Sequence, residues 1–204
     1  MPKKFIEGLQ HFERRHFPDR AATFRRLVIE GQKPSALFIG CSDSRVVPEL
    51  LTGAAPGDLF MLRNVGNMVP PYHDGIGDDS CAAAIEYAVD VLRVRDIIVC
   101  GHTHCGGVAA LLQPRNEIPR HVARWIEHAR AAQRDEDLND EQSMRELEKR
   151  NVLLQLDHLA TYPVVQKALA EQRVALHGWL FDIAHGRVDI FDVETGEFLP
   201  AGGD

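Results

Sequence analysis

Three short runs of continuous apolar residues mark the first half of the chain: Ala36-Leu37-Phe38-Ile39-Gly40, residues 59–62, and Ile97-Ile98-Val99-Cys100. Runs of this length without polar alternation belong to strands buried on both faces of a parallel sheet. Between the second and third runs, Cys81, Ala84, Ile85, Ala88, Val89 and Leu92 recur at helical spacing, which predicts an amphipathic helix over 79–93. Strands alternating with helices predict an α/β fold with a mostly parallel central sheet flanked by helices.

The first thirty residues are helical in pattern, with a break expected at Pro18 beside Asp19 and a stop at Gly31. They read as an N-terminal helical arm, residues 1–30, separate from the core. After Pro114 the pattern is mostly helical to about residue 170, and its charge-rich stretch over 130–150 reads as a solvated loop and helix face. Two last strands, near 174–181 and 188–193, flank Ala184-His185-Gly186, which predicts a C-terminal antiparallel hairpin. No internal repeat or low-complexity linker interrupts the chain, so residues 1–204 read as one domain.

The composition is that of a globular protein, 45% hydrophobic and 26% charged over 204 residues. A formal charge of −7, with both signs mixed along the chain, argues against a nucleic-acid or anionic-membrane partner, which needs a concentrated basic patch. No apolar run approaches the roughly 20 residues that span a bilayer, and the first residues lack the apolar core of a signal peptide. Cysteines at 41, 81, 100 and 105 are too unevenly spaced for a disulfide scaffold. Buried thiols or metal ligands in a reducing, cytoplasmic compartment are the expectation.

Two segments carry chemistry. Cys41-Ser42-Asp43-Ser44-Arg45 follows the first strand directly, and Gly101-His102-Thr103-His104-Cys105-Gly106-Gly107 follows the third. In open parallel sheets ligands gather beyond the carboxyl ends of the strands, where strand order reverses. Two Cys and one His suit zinc and leave a fourth tetrahedral position open, which favours a catalytic site over a closed structural one. Spacing alone does not choose between His102 and His104. Cys81, on the helix's apolar face, and Cys100, inside a strand, read as core thiols. An alternative role for Cys41, a nucleophile at a helix N-terminus as in thiol phosphatases or sulfurtransferases, needs a longer phosphate-cradling loop; Cys-x-x-x-Arg is too short for the phosphatase spacing.

Cys-Ser-Asp-Ser-Arg followed some sixty residues later by His-Thr-His-Cys resembles the paired signatures of the β-class carbonic anhydrases. The segments GQKPSALFIGCSDSRV, PGDLFMLRNVGNMVPPY, CAAAIEYAV, DIIVCGHTHCGG and ALHGWLFDI extend the resemblance from about Gly31 to Asp182. It implies a zinc enzyme that hydrates carbon dioxide to bicarbonate and a proton by zinc-hydroxide attack. Cys41, His102 and Cys105 would be the zinc ligands, which settles the histidine. Asp43 and Arg45 would be the catalytic dyad, with Asp43 a possible fourth ligand in an inactive state.

The resemblance also reaches the substrate pocket. Gln32, nine residues before Cys41, with Phe60, Val65 and Tyr87, matches the pocket of the plant-like subtype. Phe38 and Phe181 stand where bicarbonate-regulated members carry Trp and Tyr, so an allosteric pocket of that design is not expected. Tyr87 lies off the apolar stripe of its helix, as a residue at a subunit interface would. Family members are dimers or multiples of dimers whose N-terminal helices embrace a neighbour, which the arm fits. His104 is a candidate proton relay, since imidazole titrates near neutrality. Relatives on this fold that hydrolyse carbon disulfide or carbonyl sulfide are one alternative, and a non-catalytic zinc-binding assembly protein is another.

Overall fold

A computed structural model of the chain describes residues 2–74, 79–135 and 140–202. Six strands form one sheet in the order β2-β1-β3-β4-β5-β6. They are β1 (Ala36–Cys41), β2 (Leu59–Asn64), β3 (Asp96–His102), β4 (Ala175–Asp182), β5 (Arg187–Asp192) and β6 (Glu197–Pro200). The first four run parallel, while β5 and β6 are antiparallel to their neighbours. Every residue of β1 is buried, and so is β3 after its first residue. The unbroken apolar runs anticipate this sandwiching between two layers.

The C-terminal hairpin is present, with β5 returning beside β4 after Gly186, whose φ of +63° suits the turn. β6 extends the sheet by one strand beyond what the pattern predicts; only Phe198 and Leu199 are apolar in it. One face of the sheet packs Leu37, Ile39, Ile97 and Val99 against helices α4 (Asp79–Glu86), α7 (Glu141–Leu159) and α8 (Pro163–Ala170). The other face carries Phe38, Ile98, Cys100 and Phe181, with Trp179 edge-on to Phe38 at 6.2 Å. Short helices α3 (Pro48–Thr52), α5 (Gly106–Ala109) and α6 (Arg120–Trp125) complete the frame around the strand ends.

The arm is one helix rather than two. α1 (Lys3–His11) runs through a π-helical turn, Phe12–His16, into α2 (Phe17–Glu30), with helical dihedrals at each junction. Pro18 therefore does not break it. A proline cannot donate to the preceding turn and its ring crowds the carbonyl four residues back; the wider π turn just before it absorbs both problems. Gly31 ends the helix at φ +76°, as expected. The helix predicted over 79–93 begins as α4 and finishes as a second π turn, Tyr87–Val91. Its buried stripe holds, and Tyr87 lies outside it, 44% exposed.

The charged stretch over 130–150 needs a correction. Residues 136–139 lie outside the described residues, but the part within α7 is not simply a solvated face. Leu147 and Glu148 are buried, and Asn151 and Gln155 continue the same inner row. A mixed charge run hides this, because the buried polar groups are satisfied by loops distant in sequence.

Candidate metal centre

β1 and β3 are neighbours, and the chain leaves them toward opposite sides of the sheet, β1 to β2 and β3 to β4. Their carboxyl ends therefore open a crevice at the switch point. Cys41 is the last residue of β1 and His102 the last of β3; Cys105 follows one turn later, at the head of α5. Two features let the loops close on one another. Gly66 takes φ +75°, and Gly107 has no side chain where a Cβ would stand 2.8 Å from Val65 Cγ1 and 3.1 Å from the Gly66 nitrogen.

The three donor atoms lie within 4.8 Å of one another, and all three residues are buried. Cys41 Sγ and Cys105 Sγ are 4.0 Å apart, near the edge of about 3.8 Å in a tetrahedron with zinc–sulfur bonds of about 2.3 Å. His102 Nδ1 lies 2.9 Å from the Thr103 carbonyl, which makes it the donor nitrogen and leaves Nε2 with its lone pair. That Nε2 is buried with no hydrogen-bond partner. A buried polar atom without a partner costs about 1–3 kcal/mol, and a metal ion would satisfy it. Two thiolates and a neutral imidazole select a borderline-soft cation, so the donor set fits zinc.

The sulfurs are unequal. The Cys41 thiol is drawn down to about 4, first by the Cys105 thiol donating to it, with His102 and the amides of Gly66 and Asp43 adding to that against the cost of burial. Those amides lie 3.3 and 3.4 Å from Sγ. Cys105 is pushed well above its usual range by the Cys41 sulfur and by burial, because a second anion beside the first is unfavourable. Burial opposes charge on His102, but the Cys41 sulfur more than offsets it and raises the imidazole above its ordinary value.

Asp43 approaches this cluster without joining it. Its Oδ2 lies 3.9 Å from His102 Nε2, too far for a hydrogen bond. Arg45 holds the carboxylate through Nε to Oδ1 at 2.9 Å and a terminal nitrogen to Oδ2 at 2.8 Å, and its own amide donates to Oδ1. This fork keeps the carboxyl well below the usual carboxylate range. The same terminal nitrogen reaches the His104 carbonyl at 3.0 Å, tying the two signature loops together. His104 itself is exposed, at φ +58°.

The remaining predicted residues divide. Val65 precedes Gly66 beside the donors and is 41% exposed. Phe60 and Tyr87 pair their rings at 5.7 Å, but Phe60 is in register with Leu37, four positions, or about 13 Å, back along the strand from Cys41. Gln32 is exposed and precedes the amino end of β1, whereas Cys41 closes its carboxyl end. Phe38 and Phe181 are packed in the apolar cluster on the sheet's other face.

Several site-building residues escaped the sequence reading. Arg63, in the apolar strand β2, donates to the carbonyls of Cys41, Asp43 and Val46 at 2.8–3.0 Å and shapes the first loop. Glu148 accepts the Cys105 amide at 2.9 Å; burial raises its carboxyl to about 7 against that stabilising donor. Trp125 and Asn151 grip the Gly66 turn. An arginine inside an apolar strand was the one available signal; the rest sit in ordinary helical patterns.

Comparison with known proteins agrees with this geometry. The carbonic anhydrase family model matches residues 36–188. A carbonic anhydrase of Pseudomonas aeruginosa is 43% identical over 203 residues, covering 97% of this chain and 90% of its own. One from Synechococcus elongatus is 37% identical, covering 91% of this chain and 70% of its own. Among solved structures, the β-carbonic anhydrase CcaA superposes with a TM-score of 0.91 at 39% identity, covering 97% of this chain and 98% of that one. A Coccomyxa β-carbonic anhydrase solved with acetazolamide gives 0.81 at 29% identity, covering 97% and 91%. With the donor triad at the switch point and these matches along nearly its full length, the chain is an enzyme of the β-carbonic anhydrase family.

Proposed function

We propose that this enzyme interconverts carbon dioxide and bicarbonate at a zinc ion held by Cys41 Sγ, His102 Nε2 and Cys105 Sγ. The observation that carries the reading is the restrained carboxylate: Asp43 stands beside a three-donor cluster but is forked by Arg45. A structural zinc site has no use for such a pair. Zinc, when bound with one position open, is a Lewis acid that lowers the pKa of water there to about 7.

The chain's own groups do the rest. Arg45 neutralises Asp43 and fixes its plane, which keeps it from filling the open position. Asp43 Oδ2 can then accept a hydrogen bond from the O–H of the reacting water and so orient its attack. Val65 supplies apolar surface for an uncharged linear substrate. His104, exposed beside the Arg45 contact, can pass the released proton to solvent.

Gln32, Phe60 and Tyr87 complete a plant-like pocket only between copies of the chain, given that Phe60, with Tyr87 against it, lies four positions back along the strands from Cys41 and Gln32 precedes β1. Exposed Phe5, Leu9 and Phe12 on the arm favour the same assembly, a homodimer or a multiple of it. Among the described residues no helix is long and apolar enough to cross a membrane.

The deciding experiment pairs zinc stoichiometry with stopped-flow carbon dioxide hydration on wild type and Asp43→Ala. About one zinc per chain, hydration by wild type, and a large loss with zinc retained in the variant are expected. Zinc-loaded wild type without hydration activity at alkaline pH would overturn the reading.

A further inference from the structure

The peptide units on either side of Gly66 are both pinned. Trp125 Nε1 donates to the Val65 carbonyl at 2.7 Å, and Asn151 Nδ2 donates to the Gly66 carbonyl at 3.1 Å. A trans peptide is planar, with its C=O and N–H pointing opposite ways. Holding the Val65 oxygen from one side therefore aims the Gly66 N–H to the other, where Cys41 Sγ accepts it at 3.3 Å. Gly66 adopts a left-handed φ of +75°, where a free turn has alternatives, so both pins are needed to hold one orientation.

Asn151 is itself held. Gln155 Nε2 donates to its Oδ1 at 2.9 Å, and Gln155 Oε1 accepts the Val69 amide at 2.7 Å. Asn151 and Gln155 are buried, with no solvent to replace these bonds. They share the inner face of α7 with Glu148, whose carboxylate takes the Cys105 amide at 2.9 Å.

We infer that Trp125 and Asn151 are positioning residues of the metal centre, which clamp the two carbonyls around Gly66 and so direct its amide hydrogen at Cys41 Sγ. This rests on the zinc reading above. A hydrogen bond to a thiolate withdraws electron density from sulfur, and partners behind the first ligands commonly change metal affinity by about 10- to 100-fold. Trp125 removes nothing from the metal directly; it acts through Gly66.

The test uses Trp125→Phe, which keeps the ring and deletes the N–H, Asn151→Leu, and the double variant. Each is read by zinc competition against a chelator and by the absorption of the cobalt-substituted protein. Each single variant should weaken zinc binding by about 10-fold or more and move the sulfur-to-cobalt charge-transfer band to longer wavelength. Because both pins act on one N–H, the double variant should fall short of the sum of the single effects. Trp125→Phe is the variant that keeps its fold most easily, and its result stands alone if Asn151→Leu does not fold. A folded Trp125→Phe with unchanged affinity and spectrum overturns the inference and leaves the zinc reading intact. Wild type that takes up no metal overturns both.

Discussion

Arg45 grips Asp43 through two nitrogens, and one of them also reaches the His104 carbonyl, so a single side chain joins both signature loops. Arg45→Ala should leave zinc bound yet lower carbon dioxide hydration by on the order of 100-fold, since a freed Asp43 is misplaced by ångströms. Arg45→Lys should recover little, because a point charge cannot form the fork. Metal analysis with stopped-flow assay checks both, and full activity in Arg45→Ala would show that Asp43 needs no restraint. A second residue acts on stability. Burial holds His158 below its ordinary value near 6.5, and its Nδ1 contacts the Val69 carbonyl at 2.6 Å. As pH falls below about 6.5 the unfolded chain takes up this proton first, so stability present above that pH is lost as pH falls through the folded value. Urea unfolding at about pH 7.5 and about pH 5.5 should show a smaller acid loss in His158→Gln than in wild type. Equal losses would assign the acid sensitivity to other groups.

At the scale of elements, α7 is what turns strand ends into a site. It lies close over β3 and β4 because Gly101 and Gly178 leave room: a Cβ on Gly101 would stand 2.6 Å from Val152 Cγ2, and one on Gly178 3.1 Å from Val152 Cγ1. That approach brings Glu148 and Asn151 within reach of the two loops. Gly101→Ala should therefore destabilise the protein by about 1–3 kcal/mol through overpacking. It should also weaken metal binding, as Gly101 precedes His102. Adding Val152→Ala should restore part of the loss by making space, a non-additive pair visible in denaturant titrations of the four proteins. Additive losses would show that α7 accommodates the methyl elsewhere. The apolar stripes of α4 and the buried strands were legible in sequence because burial there follows simple periods. The inner polar row of α7 was not, since the bonds that tie Glu148, Asn151 and Gln155 to the loops go to partners about 40 to 90 positions away.

For the whole molecule, the arm poses the main physical problem. Among the described residues none from Lys3 to Glu30 is buried, although Phe5 and Leu9 are 67% and 64% exposed and Phe12, Phe17 and Phe24 cluster at 5.6–6.3 Å. Such a helix gains little by standing alone and much by lying on another copy. If the arm stayed in solvent, Phe5→Asp and Leu9→Asp together would be neutral within about 0.5 kcal/mol per site. In the assembly proposed here, they should lower the sedimenting mass in analytical ultracentrifugation and reduce hydration activity, because the pocket between copies is lost. An unchanged multimer with full activity would remove the arm from the interface.

By itself the sequence determined the parallel strand core, the helical arm, the C-terminal hairpin and the donor types, two cysteines and a histidine, with His102 chosen over His104 only by the family resemblance. These depend on local period, turn chemistry and ligand preference, which act over a few residues. Only the tertiary structure decided that the arm passes Pro18 as one helix, that Asp43 is held away from the donors, and that Glu148, Asn151 and Trp125 stand behind them. It also decided that Phe60, with Tyr87 against its ring, lies four positions back along the strands from Cys41, since strand register, and not residue type, sets that distance.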